Sequence, residues 1–195
     1  MLKQFLSEKN IILASGSPRR QQFFKELDIP VSIQVKPLEE TYPSHLQGKE
    51  ISEYLSQLKA SVFTHLNPND ILITGDTIVI HKGVCLGKPK DKKEAFEMLQ
   101  TLSNSSHEVI SSVCFTSAER QIVVSDITKV YFKELTKDEI HFYIENFNPF
   151  DKAGAYGIQE WIGAIGVTKI EGSYNTVMGL PTHLVYKTLM EFAGQ

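Results

Sequence analysis

A chain of 195 residues is long enough for one domain with a sizeable hydrophobic core, or for two small lobes. Its composition is 42% hydrophobic and 22% charged, as in ordinary soluble globular proteins, and no apolar run approaches the length of a membrane span. The net charge of −3 excludes a general attraction for nucleic acid, so a polyanionic ligand needs a local cluster of cations.

The N-terminal residues and the cysteines both favour a location in the cytosol. Residues 1–10 contain no apolar region typical of a signal peptide. Cys85 and Cys114 are too few and too far apart for a disulfide framework or a thiolate metal site. We therefore expect a cytosolic protein with two reduced core cysteines and no membrane partner.

The first predicted elements are a strand, a tight turn and a helix. The apolar run 11–14 suits a buried strand, and Ser15 and Ser17 belong to a turn that ends at Pro18, the first helical position. Ser17 is the predicted N-cap. Such a helix start points N–H groups and a positive dipole end at one place, and Arg19 and Arg20 add two guanidinium groups. The stretch predicts a phosphate site, with an ordinary turn and two solvated arginines as the alternative.

A loop and a long helix come next, after residues 31–35, which alternate as in a half-buried strand. The loop 36–47 carries the acidic pair Glu39-Glu40, and such pairs are usually only solvated. Residues 49–65 have the apolar spacing of a helix. Lys59 lies outside the apolar stripe of that helix, where a lysine is usually solvated.

Residues 71–80 predict a central strand, apolar on both faces and interrupted at 75–77. A carboxylate in a buried strand is costly unless it is paired or binds a cation. Asp76 is therefore a candidate functional residue, and a hydrogen-bonded structural aspartate is the alternative. A hairpin leads into strand 84–86, and Lys88 adds a cation just beyond it.

The second half of the chain predicts helices around two long β segments. The predicted elements are a helix with a capping box from Asp91 to Leu102, strands 108–115 and 122–132, a helix from Thr136 to Pro149, a strand over 165–170, a turn over 172–175, and a helix from Pro181. Asp151, Lys152 and Gln159 lie among small residues, which permit a ligand to approach the backbone closely.

This order of elements predicts an α/β fold with a mixed, twisted central sheet, flanking helices and a cleft. Ligands of such sheets bind beyond the carboxyl ends of strands. We expect Ser15–Arg20 and Asp76-Thr77 at or near such ends. The chain has no internal repeat or linker, which favours a single domain over residues 1–195.

Six motifs occur in order: L-A-S-G-S-P-R-R, L-E-E, G-D-T-I-V-I, G-K-P, D-K-A-G-A-Y-G-I-Q and G-S-Y-N-T-V-M-G-L-P. Together they resemble the Maf family of nucleoside triphosphate pyrophosphatases over essentially the whole chain. The resemblance implies a fold of two lobes around a cleft, similar to that of the inosine triphosphate pyrophosphatases. It also implies metal-dependent hydrolysis between the α and β phosphates, which releases a nucleoside monophosphate and pyrophosphate, and it makes a homodimer plausible.

The resemblance implies roles for single residues. Asp76 matches the catalytic base, and Arg19, Thr77 and Gln159 match positions associated with substrate choice. The stretch A-Y-G-I-Q is similar to the branch that hydrolyses dTTP, UTP and related pyrimidine nucleotides, whereas the branch acting on 7-methyl-GTP carries a glutamate-bearing stretch there. Glu160 departs from the pyrimidine branch, which more often has a small residue after the glutamine. Gly75 in place of the commoner alanine is expected to matter little.

The substrate's charges assign further tasks. Arg19, Lys59 and Lys88 are the cations expected around the phosphates, with Ser15 and Ser17 as neutral donors, while Arg20 either shares this task or faces solvent.

A divalent cation, Mg²⁺ or Mn²⁺, is expected to be held by Glu40 and Asp76. Asp76 then binds the metal, positions water or accepts its proton, and the sequence leaves these roles open. The Gln159 amide matches the O4 and N3–H edge of thymine or uracil, although a flipped amide also accommodates cytosine.

Two other functions are considered. One is a non-catalytic nucleotide-binding regulator of cell division or septum formation, the role from which the family took its name. The other is nucleic-acid binding through Arg19, Arg20 and Lys59, against which the net acidity and the lack of a basic stripe argue. The histidines have no metal-ligand spacing and no serine or cysteine lies in a nucleophile elbow, so covalent hydrolysis is not expected.

Overall fold

A computed structural model describes residues 2–194 of the chain. Its elements in order are α1 (Leu2–Phe5), β1 (Asn10–Leu13), α2 (Pro18–Glu26), β2 (Ser32–Ile33), α3 (Lys49–Ser61), β3 (Asp70–His81), β4 (Val84–Leu86), α4 (Lys92–Leu102), β5 (Ser106–Thr116), β6 (Gln121–Phe132), α5 (Lys137–Phe147), two 3₁₀ turns (Pro149–Asp151 and Ala153–Ala155), α6 (Trp161–Gly166), β7 (Val167–Glu171), α7 (Tyr174–Val177) and α8 (Thr182–Phe192). None of the described helices is both long and apolar enough to cross a membrane.

The strands form one mixed sheet of seven strands in the order β2-β1-β3-β5-β6-β7, with β4 on β3. β1 pairs in parallel with both β2 and β3, whereas β3 pairs with β4 and β6 pairs with β7 in antiparallel fashion. The predicted α/β class with a mixed central sheet and flanking helices is therefore confirmed.

The chain divides into two compact units. The first contains the described residues of Met1–Asp76, Ser111–Asp126 and Gly179–Gln195, and the second contains Thr77–Ile110 and Ile127–Met178. The boundary thus falls inside β3, between the two residues of the D-T pair.

In the first unit, α3 packs on the sheet through small side chains. Ile12 and Leu72 are partners in the β1–β3 pairing, and both lie in a buried cluster with Ala60 of α3 and Cys114 of β5. The small Ala60 side chain allows the helix to approach the strands closely. This contact determines which side of α3 faces β3.

The core of the second unit is built from α4, α5 and α6 with β-strand side chains. The predicted caps of two of its helices are confirmed. The Asp91 carboxylate accepts from the Glu94 N–H at 2.8 Å, and Thr136 forms a reciprocal capping box with Glu139.

Several predicted boundaries were wrong. The strand expected over 31–35 is only Ser32–Ile33, and α3 ends at Ser61 rather than at residue 65. By contrast, the strand predicted over 71–80 is confirmed as β3, which runs from Asp70 to His81 without a break at residues 75–77. The short helices α6 and α7 replace part of the strand expected over 165–170 and the turn expected over 172–175.

Candidate active site

The turn before α2 has the predicted form with one difference. Ser17 is the N-cap residue and Pro18 begins the helix, but the Ser17 side chain makes no cap hydrogen bond. Instead, the buried Ser15 hydroxyl accepts from the Ser17 N–H at 3.3 Å. The first N–H groups of any α-helix lack partners within the helix, and Arg19 lies half-buried beside them. This helix start therefore keeps the donors that an anion requires.

The alternative in which Arg20 faces solvent is wrong. Its Nε donates to the Gly179 carbonyl at 2.8 Å, and one terminal nitrogen donates to the Gly75 carbonyl at 2.9 Å. Burial lowers the pKa of Arg20, while the nearby Asp76 charge acts in the opposite direction. The side chain therefore ties α2 to β3 at the residue before Asp76.

Gly75 is tightly packed. A Cβ at this position would lie 3.0 Å from the Ser112 carbonyl oxygen and 3.7 Å from the Arg20 guanidinium carbon. Alanine at position 75 would therefore require a shift of a few tenths of an ångström.

Lys59 bridges the two carboxylates that the sequence singles out. Its Nζ lies 2.7 Å from Asp76 Oδ1 and 2.9 Å from Glu40 Oε2. The Asp76 side chain is 10% exposed and that of Lys59 18%, whereas the Glu40 side chain on its loop is 44% exposed. Two carboxylates distant in sequence thus share one cation, which satisfies the buried Asp76 charge.

The periodicities of β3 and α3 bring Lys59 to Asp76. Thr74 and Asp76 are two residues apart, so their side chains leave the same face of the strand. The Thr74 hydroxyl donates to the Ser56 carbonyl at 2.6 Å, and Lys59 follows one helical turn after Ser56. A side chain that sequence analysis treated as usually solvated is therefore aimed at the sheet.

Asp76 is not at the end of a strand, where the sequence predicted it. Asp76 lies in the interior of β3, which runs from Asp70 to His81. However, the pairing with β1 ends at Leu13 and Ile73, with one further bond from the Ala14 N–H to the Ile73 carbonyl. β3 continues beyond the carboxyl end of β1, so Asp76 lies past the parallel pairing although it is not at a strand end.

Glu40 and Asp76 fit a hard divalent cation. Among the described residues there is no group of three or more histidine, cysteine or acidic side chains that would hold a metal alone. Mg²⁺ commonly takes only one or two protein carboxylates and completes its coordination with water and phosphate oxygens. Two carboxylates already arranged around one positive group match that requirement.

The second unit contains the remaining predicted residues. Lys88 and Gln159 are exposed, and Thr77 is half-buried. The Nζ of the buried Lys152 lies 2.6 Å from Asp151 Oδ1 and 3.1 Å from Glu160 Oε1. Asp151 and Lys152 are therefore paired within the stretch D-K-A-G-A-Y-G-I-Q.

Sequence analysis did not identify Tyr143, which joins this cluster from α5. Its hydroxyl donates to Glu160 Oε2 and accepts from the Gly157 N–H at 3.0 Å. Its position on the apolar face of α5 indicated only a core residue, so no local signal distinguished its hydroxyl.

His107 is the one strongly perturbed histidine of the described chain, and it lies in the core of the second unit. Its Nε2 is 2.6 Å from the Tyr156 hydroxyl, and its buried Nδ1 has no hydrogen-bond partner among the described residues. Burial, with a smaller effect of His81, lowers the pKa of His107 to about 4. The imidazole is therefore neutral at pH 7 and packs in the core as a structural residue.

The fold and these clusters define an α/β protein whose first unit offers anion donors, a bridging lysine and two carboxylates suited to a metal. Comparison with known proteins then identifies its family: the model for Maf-like proteins matches residues 10–192, so the chain belongs to the Maf family. The resemblance inferred from the six motifs is confirmed.

Individual relatives agree with this membership. A protein of Christiangramia forsetii named dTTP/UTP pyrophosphatase is 58% identical to this chain, over an alignment that covers 98% of each of the two chains. A relative of the same name from Flavobacterium johnsoniae is 55% identical over 97% of this chain and 98% of its own length. One from Bacteroides fragilis is 44% identical over 95% and 97%.

Proposed function

We propose that this protein is a metal-dependent nucleoside triphosphate pyrophosphatase that hydrolyses dTTP and UTP to the nucleoside monophosphate and pyrophosphate. The observation that carries the proposal is the Lys59 ammonium held between Glu40 and Asp76. Membership of the Maf family and the names of the relatives support the same reaction and substrates.

The residues of the first unit are assigned to the phosphate chemistry. Arg19 and the N–H groups at the start of α2 bind phosphate oxygens, helped by Ser15 and Ser17. Lys59 neutralises charge that develops on the phosphates during the reaction. Arg20 acts indirectly, since its bonds to the Gly75 and Gly179 carbonyls hold the backbone next to Asp76.

The metal is proposed to be Mg²⁺ or Mn²⁺, held by Glu40 and Asp76. When bound, such an ion neutralises phosphate charge and acts as a Lewis acid. Asp76 also orients the attacking water and takes its proton, because its carboxylate is the buried member of the pair.

Residues of the second unit are assigned to the leaving group and the base. Lys88, an exposed cation, contacts the phosphates, and Thr77 contributes to substrate choice. Gln159 offers one donor and one acceptor to the O4 and N3–H edge of uracil or thymine. Asp151 and Lys152 influence specificity through their contacts beside this residue.

A nucleotide panel tests the proposal. The purified chain is incubated with Mg²⁺ or Mn²⁺ and with canonical triphosphates, their deoxy forms and 7-methyl-GTP, and both products are quantified. We expect dTTP and UTP to be converted fastest. Preference for 7-methyl-GTP would instead assign the other branch, and the absence of product from every nucleotide would favour the non-catalytic regulator of cell division. Light scattering on the same samples tests the proposed homodimer.

A further inference from the structure

The segment around Gln159 is a tight turn with both ends attached to one side chain. The Glu160 N–H donates to the Gly157 carbonyl at 3.0 Å, which closes the turn, and Gln159 is exposed on it. The Tyr143 hydroxyl accepts from the Gly157 N–H at 3.0 Å and donates to the Glu160 carboxylate. One phenol therefore connects the first and last residues of the turn.

The Glu160 carboxylate is held from two further sides. Its Oε1 lies 3.1 Å from the Nζ of Lys152, a lysine only 8% exposed. Its Cδ would lie 2.8 Å from a Cβ built on Gly157, so the carboxylate rests directly over the glycine backbone. The carboxylate therefore has a charge partner, a phenol donor and a backbone surface, which leave it a single position.

The anchor of this turn belongs to the rigid core of the second unit. Tyr143 is fully buried on α5 and stacks against Phe147, and α5 begins with the Thr136–Glu139 capping box. Burial and the adjacent carboxylate of Glu160 raise the pKa of Tyr143 far above its usual range. The phenol stays protonated at every physiological pH and remains the donor to Glu160.

We propose that Glu160, clamped by Tyr143 and Lys152, is a positioning residue that sets the base selectivity of the enzyme by holding Gln159 in one orientation. The proposal rests on the proposed function, in which the Gln159 amide reads the pyrimidine. The two ends of an amide are similar in shape, and a flipped amide presents to cytosine the donor and acceptor that uracil does not require. A turn closed on the core fixes the backbone from which the Gln159 side chain extends, and therefore the angle at which the amide meets the base. A loosened turn lets the amide approach at other angles, at which it can also pair with the edge of cytosine.

The test compares selectivity in Glu160→Ala, Glu160→Gln and Tyr143→Phe. For each variant, kcat and KM are measured with UTP and CTP, and the ratio of kcat/KM values is compared with that of the wild type. We expect Glu160→Ala and Tyr143→Phe to lower the UTP/CTP ratio about tenfold, mainly through KM, since misorientation weakens the contact rather than the hydrolysis step. Glu160→Gln retains an acceptor for Tyr143 and should keep a ratio closer to that of the wild type.

A matched control lies elsewhere in the same unit. Glu171 on β7 also accepts a hydrogen bond from a tyrosine, Tyr131, and also pairs with a lysine, Lys169, but this group is exposed. Glu171→Gln and Glu171→Ala make the same chemical changes away from the turn, and they should leave the UTP/CTP ratio unchanged. Thermal melting of all variants measures any loss of stability separately.

The outcomes separate the two levels of the proposal. If Glu160 had only a structural role, its substitution would lower the melting temperature and reduce the turnover of UTP and CTP in equal proportion. An unchanged UTP/CTP ratio in Glu160→Ala and Tyr143→Phe would therefore overturn the positioning role alone. A wild-type chain inactive on every nucleotide would overturn the proposed function together with the inference. Faster amide exchange of residues 157–160 in Glu160→Ala, but not in Glu171→Ala, is the expected independent sign of a loosened turn.

Discussion

Each unit of this protein places one lysine between two carboxylates, yet the two arrangements differ in what surrounds them. Lys59 contacts the buried Asp76 and the exposed, loop-borne Glu40. Lys152 is itself buried, and its partner Glu160 is bound further by Tyr143. Each cluster has one exposed carboxylate, Glu40 at 44% and Asp151 at 65%, so the difference lies in the lysines. Lys59 is 18% exposed and can exchange a contact for a phosphate, whereas Lys152 is 9% exposed and is fixed on the protein core.

A lysine between two carboxylates therefore does not define a function by itself. What counts is whether the ion pair can exchange partners. An exposed member costs little to release, because a surface ion pair contributes only about 0–1 kcal/mol. A buried member cannot be released without leaving an uncompensated charge.

The largest expected effect is on the first cluster. Asp76→Asn should lower kcat by about 10³-fold, because it removes a metal ligand and a proton acceptor while keeping the side-chain shape. Pyrophosphate release measures the loss, and circular dichroism checks the fold. Substantial residual turnover in Asp76→Asn would exclude the catalytic role.

Asp70 supplies the control for that variant. It is also buried on β3, but it accepts bonds from the Asn67 N–H at 2.8 Å and from the Asn10 amide at 3.0 Å. Asp70→Asn should therefore reduce stability by about 1–3 kcal/mol and leave kcat near that of the wild type.

The two lysines test the comparison directly. Lys152→Met should lower the free energy of unfolding by about 3 kcal/mol, since it leaves the Glu160 carboxylate buried without its cation. Lys59→Met also leaves a buried carboxylate, Asp76, without its cation, so it should lower stability by a similar amount, but in addition it should lower kcat/KM roughly 10- to 100-fold. Urea denaturation and steady-state kinetics measure the two effects, with Lys169→Met as the exposed control. Equal losses of kcat/KM at both lysines would contradict the distinction.

Acid should weaken the second unit before the first. The pKa of His107 is lowered by burial to about 4, below its unfolded value near 6.5. The unfolded state therefore takes up a proton first, and the free energy of unfolding falls by as much as about 3 kcal/mol as the pH drops from 6.5 to 4.

Asp70 in the first unit behaves differently. Burial raises its pKa, but hydrogen bonds from Asn10 and Asn67 outweigh that effect and lower it. Its contribution is present above the unfolded value near 3.9 and is lost only in stronger acid. Unfolding measured from pH 7 to pH 4 in His107→Asn should show a flatter dependence than in the wild type, and His45→Asn, at an exposed position, should not. The same slope in all three proteins would contradict this role of His107.

The smallest expected effect concerns the exposed member of the first cluster. Glu40→Gln should raise the concentration of Mg²⁺ or Mn²⁺ needed for half-maximal activity about tenfold, with less effect at saturating metal, because Asp76 still binds the ion. Metal titrations of pyrophosphate release measure this shift. Glu39→Gln is the adjacent control, and an equal shift in both variants would indicate a general effect of loop charge.

Much of the frame was predictable because local chemistry determined it. The strand, turn and helix start around Pro18, the Asp91 side-chain cap and the Thr136 capping box follow from residue types within a few positions. α6 was not predictable, because W-I-G-A-I-G has two glycines, which disfavour a helix, and its end overlaps the strand predicted over 165–170. Gly163 is required there, since a Cβ would lie 1.9 Å from the Ile158 carbonyl oxygen, a contact that only the folded chain reveals.

The candidate site shows the same division. Asp76 was identifiable because an acid within an apolar strand requires a partner. That the partner is Lys59 depends on the rotation of α3 against β3, which the Ala60 and Ser56 contacts determine over long sequence separations. The hydroxyl of Tyr143 gave no pattern at all, because the same apolar helical position accepts phenylalanine.

The carboxylate resting on Gly157 couples the effects of substitutions at positions 157 and 160. With Glu160 present, alanine at position 157 collides with a group that Tyr143 and Lys152 hold in place. With alanine at position 160, the same methyl group enters the space that the carboxylate leaves. The double substitution should therefore be milder than the sum of the single ones, which is non-additivity between two residues that never exchange a hydrogen bond through their side chains.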